Sequence, residues 1–110
     1  MGQTTITVRL DGAGPAEAGA LAAELKLFLQ SEDPALEVNV QREDPSRQDL
    51  GTVLMILVPA AGTIGLKQAV RAWKYKHRDR RLVLDSEHGH AVVDSPDEAE
   101  AAVTAVVPPA

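Results

Sequence analysis

Period-two alternation opens the chain. Ile6, Val8 and Leu10 are apolar while Thr5, Thr7 and Arg9 between them are polar. This pattern predicts a strand over 4–10 with one buried face. Asp11-Gly12-Ala13-Gly14 then breaks it. From 15 to 30 the period lengthens, with Leu21, Leu25 and Phe28 or Leu29 at helical spacing. Pro15 suits a first helical turn, where its missing N–H costs nothing, and Glu17 suits the dipole there. Gly19 weakens this helix by about 1 kcal/mol relative to Ala and is expected to allow close packing on the sheet. After a turn at 31–35, Leu36, Val38 and Val40 alternate again and predict a second strand over 36–41. Strand, helix and strand make a β-α-β unit, normally parallel and right-handed.

The stretch from Gln48 to Arg81 has an apolar half followed by a basic half. Asp49 is a plausible N-cap, and Leu50, Val53, Leu54, Leu57 and Val58 follow at helix-like spacing. Pro59 interrupts, since an interior proline costs a helix about 3 kcal/mol. The expectation is a kink or two consecutive helices, the second starting between Pro59 and Thr63. That second helix carries Ile64, Leu66, Ala69, Val70 and Trp73 on its apolar side. Leu82, Val83 and Leu84 predict a third strand over 80–86, and His90–Asp94 a fourth, paired with it as a hairpin. Gly89 between them is read as a positive-φ turn residue. Ser95, Pro96 and Glu98 form a capping box for a last helix with Ala99, Ala102, Val103 and Val106 as its stripe. The order β-α-β-α(α)-β-β-α describes an α+β, two-layer sandwich. Its mixed four-stranded sheet is expected to carry the helices largely on one face. A single domain over 1–107 and a short tail over 108–110 complete the picture.

Composition refines this only slightly. A chain of 110 residues makes one domain with its own core. Phe28, Trp73 and Tyr75 are its only aromatics, so the core is built from Leu, Val, Ile and Ala. There is no cysteine, which removes thiolate chemistry and Cys-based zinc sites and is compatible with a reducing cytoplasmic setting. No signal peptide is visible at the N-terminus, and Ile6 stands where a myristoylation start has Ser or Thr. The apolar run from Val53 to Leu66 is too short to span a membrane. The net charge of −5 does not favour nucleic acid as a global partner.

The charge is uneven, however. Lys67, Arg71, Lys74 and Arg78 fall at i, i+4, i+7 and i+11, one helical face, with Arg81 just beyond. Such a face attracts phosphate, nucleic acid, anionic lipid or an acidic protein patch, and it is equally read as a solvated helix end pairing with the chain's own acids. Trp73 within it is read as an anchor to the sheet. Other chemistry is weak. Asp11, Asp85, Glu87 and Asp94 are read as strand-end turn residues. His88 and His90 are weak metal candidates, because Gly89 turns the chain between them. Ser31, Ser46, Ser86 and Ser95 lie in no nucleophile motif, and Gly12-Ala13-Gly14 lacks the rest of a phosphate loop. No catalytic set, metal or cofactor is expected.

Several features together carry a family resemblance. They are Leu50-Gly51-Thr52-Val53-Leu54, then Gly62-Thr63-Ile64-Gly65, then Leu66 to Val70-Arg71-Ala72-Trp73. A basic segment, the strand Leu82-Val83-Leu84, a glycine hairpin and an acidic-start helix follow. In these the chain resembles the effector-associated constant component family, type one, small bacterial domains encoded with or fused to effectors of conflict systems. The resemblance implies a non-catalytic adaptor whose partner is an effector protein, peptidase-like or other. It brings no catalytic residues. A free edge strand also leaves a homodimer open.

Overall fold

The computed structural model describes residues 3–11, 14–42, 52–59 and 63–107. Eight elements follow one another: β1 (Thr4–Asp11), α1 (Pro15–Glu32), β2 (Glu37–Arg42), β3 (Thr52–Val58), α2 (Thr63–Lys76), β4 (Arg81–Ser86), β5 (Gly89–Val93) and α3 (Ala99–Val106). A single 3₁₀ turn, Pro96–Glu98, leads into α3. The strands form one five-stranded sheet in the order β2-β3-β1-β4-β5.

The molecule is α+β, with five strands where the sequence pattern gives four. The extra strand lies in the apolar half of the central stretch. Within the segment read as a helix over 50–58, residues 52–58 form β3, between β2 and β1 and antiparallel to both. Its sequence, TVLMILV, is rich in β-branched residues and ends at a proline. A continuous apolar run of this length has no period of its own, and its central place in the sheet decides its conformation. Leu54, Ile56 and Val58 enter the core, while Met55 and Leu57 stay half-buried on the other side. Pro59 therefore follows a strand and interrupts no helix. The proposed cap Asp49 lies outside the described residues, as do Gly12, Ala13, Ser46 and the tail over 108–110.

Every strand pairing is antiparallel, in place of the expected mixed sheet. β1 and β2 do run in the same direction, but β3 lies between them. β3 and β4 are likewise parallel to each other with β1 between. Two interlocked split β-α-β units result, the ferredoxin-like arrangement, extended by the β4–β5 hairpin and α3.

One face of the sheet supplies Ile6, Val8, Leu10, Val38, Leu54, Ile56, Val58, Leu82, Leu84 and Val93 to the core. Ala18, Ala22, Leu25 and Leu29 of α1, Leu66, Ala69, Val70 and Trp73 of α2, and the predicted stripe of α3 cover it. α2 lies beside α1 and α3, and α3 lies over β5 and β4. Trp73 is fully buried, an anchor as expected, and its Nε1–H has no partner among the described residues.

Two glycines make the helices fit. A Cβ at Gly89 would lie 2.5 Å from the Ala105 carbonyl oxygen, so the residue is set by the approach of α3 and not by a positive φ. A Cβ at Gly65 would lie 2.6 Å from Asp33 Cβ, which lets α2 approach the end of α1. Gly19, by contrast, faces open space, so it serves no close packing on the sheet. Ser86 Oγ donates to the Val106 carbonyl at 2.6 Å and ties the hairpin to α3 from the other side. The capping box is present: the Glu98 carboxylate accepts from the Ser95 and Asp94 backbone N–H groups, each at 2.9 Å.

Candidate functional site

The outer side of α2 carries the basic cluster, and the fold divides it. Lys74 faces inward and is fully buried, so it cannot meet a partner as the helical spacing predicts. Its ammonium donates to the Arg80 carbonyl, and burial lowers its pKa from the ordinary 10.5. A 3.6-residue period places Lys74 at the border of the apolar stripe, next to Trp73, and the stem follows that stripe into the core. Arg81 sits at the head of β4 and is held by Asp94 at 2.7 Å and Asp11 at 3.5 Å. Arg80 pairs with Glu17 at 2.6 Å, and Lys76 with Glu24 at 2.9 Å. His77 also contacts Glu24, and the bond from His77 is the main reason the Glu24 pKa is lowered.

Three cations of the cluster have no carboxylate within 4 Å among the described residues: Lys67, Arg71 and Arg78. Two of them flank Tyr75. The Arg71 guanidinium lies 5.8 Å from the ring centroid and that of Arg78 lies 5.3 Å from it. Each such contact is an attraction of the cation to the ring's quadrupole, weakened where water reaches the ring. The Tyr75 side chain, with smaller contributions from Asp97 and Glu100, raises the pKa of Arg71 above its ordinary value. Tyr75 is itself 49% exposed, so the ring stays open to solvent beside the two guanidinium groups.

One turn towards the N-terminus of α2, a cleft of about 500 Å³ separates the helix from the 3₁₀ turn and α3. Ile64, Lys67, Gln68 and Arg71 line one wall, and Pro96, Asp97 and Glu100 the other. Ile64 is 69% exposed, where its place in the apolar pattern predicts burial. It lies at the second residue of α2, and the buried stripe begins only at Leu66.

The remaining candidates lie apart from this surface. Asp85 bridges Arg9, at 3.1 Å, and His90 on the helix-free face of the sheet. His88 contacts Glu87 at 3.4 Å. The two histidines thus turn to different carboxylates, and no group of three His, Asp or Glu residues among the described ones is placed to hold a metal ion. Asp11, Asp85 and Asp94 each hold a basic side chain.

Sequence reasoning missed Tyr75, Asp97, Glu100 and Ile64 as parts of one surface. Tyr75 lies four residues after Arg71 and three before Arg78, a spacing that brings all three together. Asp97 and Glu100 read as acids of a first helical turn, and nothing in their neighbourhood along the chain announces that α2 lies opposite. Comparison with family models, with curated proteins and with solved structures finds no match to this chain. Among the described residues, no helix is long and apolar enough to cross a membrane.

Proposed function

We propose that this protein is a non-catalytic interaction module that docks an effector protein, peptidase-like or other, of a bacterial conflict system, in the cytoplasm. The setting comes from the family resemblance. The observation that carries the reading is the Arg71–Tyr75–Arg78 patch on α2. Tyr and Arg are enriched at the centres of protein interfaces, and Tyr gives large contact area at small entropic cost. Here two guanidinium groups already lie beside the ring and favour its outward orientation, which lessens the ordering left for docking. Two cations beside an open aromatic suit an acidic partner surface. Affinity capture from native-host lysate tests this, with wild type beside Tyr75→Ala and Arg78→Glu. The expected result is an effector protein recovered by wild type and lost by both variants. Equal recovery by all three overturns the reading.

A second reading is anion or nucleic-acid binding, favoured by the three cations that lack a carboxylate within 4 Å. Lys74, Arg80 and Arg81 are withdrawn from it by burial or pairing. Asp97 and Glu100 also face Lys67 and Arg71 across the cleft and repel a polyanion. Retention of wild type on DNA or heparin, falling steeply with salt and abolished by Lys67→Glu with Arg78→Glu, is the outcome that would favour this reading.

A further inference from the structure

Many of the molecule's surface charges are paired: Arg9, Lys76, Arg80, Arg81 and His90 each reach a carboxylate. The cleft between α2 and α3 holds charges of both signs that, among the described residues, are not. Lys67 and Arg71 stand one helical turn apart on one wall, and Asp97 and Glu100 stand three residues apart on the other. Among the described residues no ion pair within 4 Å joins the two walls, although each wall carries what the other lacks. The space between them is about 500 Å³, within the range of small-molecule sites.

We propose that this cleft is a binding site for a small zwitterion of short-peptide size, its carboxylate held by Lys67 and Arg71 and its ammonium by Asp97 and Glu100. A plain anion gains one wall and is repelled by the other, and a plain cation meets the reverse. Only a ligand with both signs satisfies both walls. Arg71 offers a planar fork that matches a carboxylate with two parallel hydrogen bonds, and Lys67 adds a point charge beside it. Ile64 and Pro96 give an apolar lining for the ligand's stem, and the Gln68 amide both donates and accepts, as a peptide group requires. The site goes beyond the partner docking proposed above and does not depend on it. Its test uses purified protein alone, so either reading can fail while the other stands.

The test is an amide ¹H–¹⁵N NMR titration of the whole chain with four probes. Trialanine carries both charges, N-acetyl-trialanine only the negative one, trialanine amide only the positive one, and free alanine carries both on a shorter span. Trialanine is expected to give saturable shifts centred on Gln68, Arg71, Asp97 and Glu100. Blocking either end is expected to weaken binding about tenfold, the factor that one lost charge-assisted contact supplies. Free alanine binding as tightly as trialanine assigns the site to amino acids; weaker binding assigns it to peptides. Lys67→Glu with Arg71→Glu abolishes the shifts. Asp97→Asn with Glu100→Gln removes the advantage of trialanine over its acetylated form. Shifts that stay linear with concentration, or equal binding of blocked and unblocked peptides, overturn the proposal. The blocked-peptide series on wild type decides the matter even where a variant fails to fold.

Discussion

Lys74 shows how a single residue changes meaning between a helical projection and a folded helix. Its ammonium lies in the interior, bonded to the Arg80 carbonyl, and burial disfavours its charged form. The unfolded chain therefore binds this proton more tightly than the folded one. Between the lowered folded pKa and the ordinary 10.5, stability rises with pH, because the unfolded state holds more protons there. Chemical denaturation across alkaline pH is expected to show this rise in wild type and a flat profile in Lys74→Met. The substitution leaves the Arg80 carbonyl without its donor, a cost of about 1–3 kcal/mol that removal of a buried charge offsets. A pH profile of Lys74→Met that matches wild type would place the ammonium in water. Tyr75, the next residue, carries the opposite lesson. It is one position further round the helix and points out, between two arginines that a linear reading assigns to charge alone.

At the scale of elements, the strands and helices with a period of their own were legible. β1, α1 and the β4–β5 hairpin follow the alternation or helical spacing of their apolar residues. β3 was not, because an uninterrupted apolar run fits a buried helix and a central strand alike, and only its two neighbours in the sheet distinguish them. The cleft was illegible for a related reason: its walls are about thirty residues apart along the chain and meet through packing alone. Two isoleucines test the assignment. Ile56 is fully buried on β3 and Ile64 is exposed on α2. Ile56→Ala is expected to cost about 2–5 kcal/mol. Ile64→Ala is expected to stay within about 0.5 kcal/mol, as measured by urea denaturation. Gly89→Ala forces a methyl group onto the Ala105 carbonyl. An overpacking cost of about 1–3 kcal/mol follows, with the thermal midpoint falling accordingly.

For the whole molecule, the sheet order sets where stability resides. β1 and β3 each have two neighbours and β2 only one. Hydrogen exchange is expected to be slowest at the amides of β1 and β3 that bond within the sheet, and faster along β2. Protection in β2 equal to that in β1 would contradict the order. The same order has a consequence for how the chain is made. Among the described residues β1 pairs only with β3 and β4, neither of which is its neighbour along the chain. β1 ends at Asp11 and β3 is complete only at Val58. At roughly 5–20 residues per second, the first strand waits on the order of 2–9 s for its first partner. Throughout that interval Ile6, Val8 and Leu10 lack their partners in the sheet, and of the helices that cover them in the fold only α1 is complete. β1 is therefore a segment that a chaperone can hold while the rest of the sheet is made.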